Sequence, residues 1–274
     1  MTAERVPPIS RRSRPRFGTR ERHRELGAAF AEQGADYDRL RPGYPAEALE
    51  AILAAAPGAR DAVDLGAGTG KLAWALCARG LDVVAVDPSA AMLDALRAAA
   101  HGSVPAPTVR VGTAESTGLE PGSADIVTAA QAWHWFDAGA ASAEIARILR
   151  PGGALVLVWN TLDVTIPWVH RYSRIMHAGD VLAEDFEAPP VPGFRVVARS
   201  AHRWEDVRTT HELIDLARTR SYVITAPPER RAKVLANLDW YVHEHLAHAP
   251  GDHVGIPYRT DVIVLRHVED AAAS

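Results

Sequence analysis

Short apolar runs alternate with amphipathic segments through most of the chain. Five runs of four to six residues predict buried strands, and the segments between them repeat apolar positions with helical spacing. The predicted strands cover residues 62–65, 82–87, 108–111, 124–129 and 154–159. The predicted helices between them cover residues 69–79, 89–100 and 140–149. Because strands that alternate with helices of this length pair in one direction, the pattern predicts an α/β protein with a parallel sheet.

The pattern changes on both sides of this core. Two helices are predicted before the first strand, at 26–35 and 46–56. After residue 160, an aromatic helix and a proline-rich bend predict an insertion over about 160–193 that covers the ligand side of the sheet. The remaining elements are a strand from 194 to between 200 and 204, helices at about 209–220 and 227–247, and a closing strand at 258–268. We therefore expect seven strands in a single domain over residues 26–270.

Positive charge is concentrated at the start of the chain. Residues 1–24 contain eight arginines and two glutamates, a net of +6, whereas the whole chain carries −4, so the rest carries −10. This segment, taken to residue 25, has no apolar periodicity and is predicted to be a disordered tail. No apolar stretch follows Arg11-Arg12, so a twin-arginine export signal is not expected. The acidic remainder makes nucleic acid an unexpected partner, although the tail keeps that option open.

Composition also bears on the compartment and on covalent structure. No apolar stretch approaches 18 residues, so no membrane span is predicted. Cys77 is the only cysteine, which excludes a disulfide within the chain, and its place on the apolar side of a predicted helix indicates a buried thiol. We expect a cytoplasmic protein, and the sequence leaves its oligomeric state open.

A glycine-rich turn follows the first predicted strand. Residues 62–70 read AVDLGAGTG, in which a short apolar run leads through three glycines into a helix. Glycines at such a turn let a ligand approach the backbone, and the free N–H groups at the start of the helix face that ligand. The next strand ends on Asp87, where a carboxylate accepts hydrogen bonds from a ribose diol. The pattern therefore predicts a site for a nucleotide-type cofactor.

The spacing of the glycines distinguishes between cofactors. A dinucleotide fingerprint needs its third glycine three positions after the second, and Lys71 stands there. A nicotinamide-dependent dehydrogenase is therefore disfavoured. The spacing Gly66-x-Gly68-x-Gly70, with Asp64 two residues before the first glycine, resembles motif I of the class I S-adenosylmethionine-dependent methyltransferases.

Four further segments strengthen this resemblance, which extends over about residues 30–268. They are YDRLRPGYP at 37–45, VDPS at 86–89, QAWHWFD at 131–137 and LRPGG at 149–153. Together they resemble a bacterial and fungal small-molecule subgroup similar to the trans-aconitate and quinone-biosynthesis methyltransferases. The resemblance implies an α/β, Rossmann-like, seven-stranded class I methyltransferase fold, with a mostly parallel sheet, helices on both faces and an antiparallel last strand.

The resemblance also implies which residues bind S-adenosylmethionine and its product S-adenosylhomocysteine. Following the ligand from methionine through ribose to adenine, the implied residues are Asp64, Gly66 and Gly68, then Asp87, then Pro88 and Met92. After the third strand, the loop 112–115 has Thr113 where many relatives place an aspartate against the adenine amino group. Thr113, Ala114 and Glu115 are therefore the candidates in this loop.

Two other segments belong to the implied cofactor site. Tyr37 and Arg41 lie in a segment that resembles a lid, where Arg41 either pairs with the methionine carboxylate or forms a surface salt bridge. Gln131 follows the fourth strand and is expected at the same edge of the sheet.

Methyl transfer from a sulfonium is an in-line displacement, so alignment of the acceptor is the enzyme's main task. A general base is needed only if the acceptor loses a proton. The candidate base is His134, which follows the fourth strand between Trp133 and Trp135. The alternative interpretation is that these aromatics pack the start of the next helix and His134 caps it. Further acceptor-side candidates are Trp159, Asn160, Trp168, His170, Arg171 and Tyr172, for which ordinary packing of the lid is the alternative interpretation.

Several other functions are not expected. The run HEHLAH at 243–248 lacks the second histidine of a zinc-binding HExxH helix, and no aspartate cluster follows the fourth strand, so we expect no metal. The Asn-Pro-Pro-aromatic run of DNA amino-methyltransferases is absent from the sequence. Two interpretations remain: an enzyme that methylates a small molecule, and a non-catalytic module that binds S-adenosylmethionine or S-adenosylhomocysteine. The acceptor stays open between carboxylic acids, quinone precursors and secondary-metabolite hydroxyls.

Overall fold

Seven strands and eight α-helices make up the part of the chain that the structure, a computed structural model, describes: residues 39–99, 102, 104–178, 182–183 and 185–268. The strands are β1 Asp61–Leu65, β2 Asp82–Asp87, β3 Thr108–Val111, β4 Ala124–Ala130, β5 Leu149–Leu162, β6 Phe194–Thr209 and β7 His253–His267. The helices are α1 Ala46–Ala54, α2 Lys71–Cys77, α3 Ala90–Ala98, α4 Ala138–Ile148, α5 Pro167–Ile175, α6 Thr210–Asp215, α7 Ser221–Ile224 and α8 Pro228–Trp240. The predicted tail over 1–25, the predicted helix at 26–35 and Tyr37 lie outside the described residues.

All seven strands form one sheet in the order β3-β2-β1-β4-β5-β7-β6. Strands β1 to β5 pair in parallel, whereas β7 runs antiparallel to both β5 and β6. The predicted fold class, with a mostly parallel sheet and an antiparallel last strand, is confirmed. The strand order reverses between β1 and β4, so the carboxyl ends of these central strands border the crevice where open α/β sheets bind ligands.

The two faces of the sheet carry separate core clusters, because successive side chains of a strand point in opposite directions. Ala62 packs with apolar residues of α1, α2 and α3 on one face. Val63 and Leu65 pack with residues of α4 on the other. Helices therefore cover both faces, as predicted.

Strand β5 begins earlier than the sequence predicts. The strand predicted at 154–159 already begins at Leu149, before the motif Pro151-Gly152-Gly153, and Leu149 pairs with Ala124. The Arg150 guanidinium lies 2.8 Å from a carboxylate oxygen of Asp61 and of Asp125. The pairing with β4 shifts register across the motif, between Ala124–Leu149 and Ile126–Ala154, and Gly152 there has a φ of 74°.

The last two strands extend beyond the rest of the sheet. The pairing of β5 with β7 ends at Leu162 and Tyr258, whereas β6 and β7 stay paired as far as Thr209 and His253. This two-stranded extension packs against α5, α6, α7 and α8 in a third apolar cluster that includes Tyr172. We call the extension and these four helices the cap. Within the predicted insertion, α5 belongs to the cap, whereas Leu182 and Phe186 pack in the second sheet cluster.

Candidate functional site

The glycine turn after β1 is held against the neighbouring strand. The N–H groups of Gly66 and Ala67 donate to the Val86 carbonyl at 2.8 and 3.1 Å. Gly66 has a φ of 66°, and a Cβ atom there would lie 2.6 Å from the Ala132 Cβ, so no other residue fits this position. Gly68 also has positive φ, but no atom of the described residues lies within 4 Å of its Cβ position. The turn is therefore closed on the Gly66 side and open at Gly68.

Asp87, at the end of β2, is bound to the open part of this turn. One carboxylate oxygen accepts the Gly68 N–H at 2.9 Å, and the other accepts the Ser89 N–H at 2.8 Å. Burial raises the pKa of Asp87, and these two hydrogen bonds oppose the rise. A carboxylate has about four lone-pair sites, so Asp87 keeps the capacity to accept two further hydrogen bonds.

The segment after Asp87 begins α3. Ser89 is the N-cap of this helix, and its hydroxyl oxygen accepts the Met92 N–H at 3.3 Å. Pro88 is exposed and Met92 is buried. Of the two residues predicted to border the adenine, only Pro88 is therefore accessible from outside the protein.

Asp64 lies beneath the turn. Its side chain is 1% exposed, and its carboxylate accepts the Thr128 hydroxyl at 2.7 Å. Burial raises the pKa of Asp64 to about 7, and the negative charge of Asp87 adds to the rise. Thr128 was not predicted as a site residue from the sequence. Its signal is a hydroxyl in an otherwise apolar strand, but the partnership depends on the pairing of Asp64 with Thr128 across β1 and β4.

The loop after β3 lies beside Asp87, since the Gly112 N–H donates to the Asp87 carbonyl at 3.2 Å. Thr113 is exposed, and it forms a short backbone bridge with Ser116. Ala114 is buried in the second sheet cluster. The Glu115 carboxylate accepts the Asp137 N–H at 2.8 Å, so this side chain contacts the loop that precedes α4.

Gln131 and His134 follow β4 at the same edge. Gln131 has a φ of 55°, and its side-chain Nε2 donates to the Asn160 carbonyl at 2.6 Å. His134 is half-buried in a short 3-10 helix, Trp133–Trp135, with its ring centroid 5.2 Å from that of Trp135. The interpretation of His134 as a helix cap is wrong. Asp137 is the N-cap of α4, and its carboxylate accepts the Ala140 N–H at 3.1 Å.

Arg41 connects the segment before α1 to the cap. Its guanidinium donates to the Thr219 carbonyl at 2.8 Å. Two residues further on, the Gly43 carbonyl accepts the Asn160 side-chain amide at 2.7 Å. The segment 41–45 is therefore attached at one end to the cap and at the other to the carboxyl edge of β5.

Three acceptor-side candidates on α5, Trp168, Arg171 and Tyr172, contact residues of the third apolar cluster. Tyr172 is fully buried in the cap and donates its hydroxyl to the Leu213 carbonyl at 2.5 Å. His170 is buried, which lowers the pKa of its imidazole. The Arg171 guanidinium lies 5.4 Å from the centre of the Tyr241 ring. Tyr172 is thus a core residue of the cap.

Two features of the described residues concern metals and membranes. Nδ1 of His243, in the HEHLAH run, lies 2.8 Å from the His248 carbonyl oxygen. Among the described residues, no group of three histidine, cysteine or acidic side chains is placed to bind a metal ion. None of the described helices is both long and apolar enough to cross a membrane.

Known proteins resemble this chain in sequence and in structure. A family model described as a methyltransferase domain matches residues 63–157. The chain is 44% identical over 237 residues to an uncharacterized methyltransferase of Mycobacterium bovis, a match that covers 86% of this chain and 95% of that protein. It is 35% identical over 219 residues to an uncharacterized methyltransferase-like protein of Schizosaccharomyces pombe, covering 77% and 84%.

A solved structure agrees with these matches. A candidate type II methyltransferase from Anaeromyxobacter dehalogenans superposes with a TM-score of 0.63 at 26% identity, covering 83% of this chain and 97% of that one. Family model, full-length relatives and fold agree with motif I and with the acid at the end of β2. The chain therefore belongs to the class I S-adenosylmethionine-dependent methyltransferases.

Proposed function

We propose that this protein transfers a methyl group from S-adenosylmethionine to a small-molecule acceptor. The observation that carries the proposal is the arrangement of Asp87 and Gly68. A buried carboxylate is held at the end of β2 by the backbone of the glycine turn, and it keeps lone pairs for a ribose diol. The open side of Gly68 leaves the backbone accessible to the rest of the cofactor.

The residues of this edge fit the parts of the cofactor. Asp87 would bind the ribose, and the exposed Pro88 with the loop 112–115 would border the adenine. The backbone of the glycine turn would bind the methionine end. When bound, S-adenosylmethionine supplies a methyl group on a positively charged sulfur. Asp87 places negative charge near this edge, and a nearby positive charge would favour the ionised form of both Asp87 and Asp64, whose pKa values burial raises.

His134 is the proposed base for acceptors that must lose a proton. It lies after β4, within one short helix of Gln131, where open α/β sheets present residues to a substrate. Its Nδ1 atom is buried, so we assign the proton transfer to Nε2. Trp135, whose ring centroid lies 5.2 Å from that of His134, would restrict the acceptor to a small group beside the imidazole, whereas Trp133 is buried in the second sheet cluster.

Two observations support a small acceptor. The cap, with α5 and the β6–β7 extension, is an apolar cluster built beyond the end of β5. The chain outside the first 24 residues carries a net charge of −10, which would repel a nucleic acid backbone. We therefore propose that the acceptor is a metabolite. We also propose that the enzyme acts in the cytoplasm.

The first experiment is calorimetric titration with S-adenosylmethionine, S-adenosylhomocysteine and NADH. We expect the two sulfur ligands to bind and NADH not to bind. Asp87→Ala should weaken S-adenosylhomocysteine binding about a hundredfold, because two charge-assisted hydrogen bonds to the ribose are lost. Asp82→Ala is the matched control, because Asp82 is an exposed carboxylate at the opposite end of the same strand. Binding of NADH without either sulfur ligand would refute the proposal.

Turnover separates the enzyme from a non-catalytic binding module. Carboxylic acids, quinone precursors and hydroxylated aromatics would be screened for product with labelled S-adenosylmethionine. For a hydroxyl acceptor, His134→Gln should lower the rate while leaving S-adenosylhomocysteine affinity unchanged. Tight cofactor binding without any product across the panel would favour the non-catalytic module.

A further inference from the structure

A chain of hydrogen bonds, with its central bond buried, runs from β6 to the segment before α1. The Trp204 indole N–H donates to the Thr260 hydroxyl at 2.8 Å. The Thr260 hydroxyl donates to the Asn160 side-chain oxygen at 2.6 Å, and the Asn160 side-chain amide donates to the Gly43 carbonyl at 2.7 Å. The chain joins β6, β7, β5 and the segment 41–45, which are far apart in sequence.

Each hydrogen bond in this chain determines the direction of the next. The indole only donates and the Gly43 carbonyl only accepts, so the Thr260 hydroxyl must donate to Asn160 and the Asn160 amide must face Gly43. Thr260 is 0% exposed and Asn160 is 4% exposed. In such buried surroundings a polar atom that loses its partner is costly, so the chain has one favourable arrangement.

Asn160 also contacts the candidate cofactor site directly. Its backbone carbonyl accepts the side-chain amide of Gln131 at 2.6 Å, and the Gln131 N–H donates to the Val158 carbonyl at 2.8 Å. The Asn160 side chain lies on the same face of the sheet as Asp64, because Asp64 pairs with Thr128, Thr128 pairs with Val156, and alternate residues share a face. One residue thus contacts both Gln131 and the segment 41–45.

We propose that Asn160, oriented by Thr260, is a positioning residue for cofactor binding. It holds the Gly43 carbonyl at the carboxyl edge of β5 and so places the segment 41–45 beside Gln131. The order of this segment is then set before the cofactor arrives, which lowers the entropy lost on binding. This inference rests on the proposed function, since it concerns the same cofactor site.

The test uses two substitutions at Thr260 and S-adenosylhomocysteine as the probe. Thr260→Val keeps the shape and removes the hydroxyl, whereas Thr260→Ser keeps the hydroxyl. We expect Thr260→Val to raise the Kd for S-adenosylhomocysteine about tenfold and to speed amide exchange over residues 43–49. Thr260→Ser should stay within about twofold of the wild type. Val262→Ala, one layer lower on the same face of β7, is the control for a loss of stability alone.

Asn160→Asp provides a second route if Thr260→Val folds poorly. The ionised aspartate keeps an acceptor for Thr260, has no donor for Gly43 and places a negative charge beside that carbonyl, so the bond to Gly43 is lost and at least the same rise in Kd is expected above the pKa of the introduced carboxyl. The inference is overturned if both variants bind S-adenosylhomocysteine as tightly as the wild type, or if Val262→Ala weakens binding equally. A wild-type protein that fails to bind S-adenosylhomocysteine would instead overturn the proposed function, and this inference with it.

Discussion

Asp64 should make the ligand-free protein less stable at high pH, and Asp64→Asn should remove that effect. Asp64 is buried, and its pKa is raised from 3.8 to about 7, chiefly by burial. The unfolded chain releases this proton near pH 3.8, whereas the folded protein keeps it up to about pH 7. The folded state therefore binds more protons between these values, and the free energy of unfolding falls as the pH rises through this window.

The magnitude follows from the pKa difference. Within the window, each pH unit lowers the free energy of unfolding by about 1.4 kcal/mol. The pKa shift from 3.8 to about 7 therefore lowers it by about 4 kcal/mol above pH 7. About 3 kcal/mol of this falls between about pH 5 and pH 8.5. An asparagine at this position still accepts the Thr128 hydroxyl through its side-chain oxygen and has no charge to bury. As the pH rises from about 5 to about 8.5, the free energy of unfolding of Asp64→Asn should therefore increase by about 3 kcal/mol relative to that of the wild type.

Urea unfolding of the wild type and of Asp64→Asn, at about pH 5 and at about pH 8.5, measures this difference. Asp82→Asn is the control, because it removes an exposed carboxylate from the neighbouring strand and should follow the wild type at both pH values. A difference between Asp64→Asn and the wild type that does not change with pH would show that Asp64 is already ionised in the folded protein. The assigned effect of burial would then be wrong.

Two further predictions concern backbone strain and the buried thiol. Gly66→Ala should cost about 2–4 kcal/mol of unfolding free energy, because its Cβ would meet the Ala132 Cβ at 2.6 Å in addition to the cost of positive φ. Gly122 is the control: its φ is 61°, but apart from its chain neighbours no atom of the described residues lies within 4 Å of its Cβ position, so Gly122→Ala should cost only about 1 kcal/mol. Equal losses of unfolding free energy in the two variants, measured by urea unfolding, would contradict the close packing at Gly66. Cys77 is 4% exposed with a raised thiol pKa, so Ellman's reagent should label the native protein about a hundredfold more slowly than the unfolded one. Equal labelling rates would place the thiol at the surface.

The local features of the cofactor edge could be predicted from the sequence because they depend on neighbouring residues. The glycine turn and the apolar run ending on Asp87 each lie within one short segment, and positive φ at Gly66 is a local backbone requirement. Strand alternation with helices likewise predicted the parallel sheet, and the structure confirms it. The strand bounds of β2 and β3 agree with the prediction to the residue.

Other features depend on contacts between segments distant in sequence, and the sequence did not predict them. The start of β5 at Leu149 depends on its pairing with Ala124. The sequence left Tyr172 open between an acceptor contact and lid packing, because an aromatic helix looks the same whether it faces a substrate or an apolar core. The core of the cap is completed by residues some 40 to 85 positions later.

The sequence by itself determined the family, the parallel sheet and the segments of the candidate cofactor site, because motif I and hydrophobic alternation are properties of consecutive residues. Only the tertiary structure decided which polar side chains meet. Asp64 meets Thr128 through the register of β1 with β4, and Asn160 meets Thr260 through the antiparallel pairing of β5 with β7. A shift of one residue in either register would turn these side chains to opposite faces, and no local pattern specifies the partner strand.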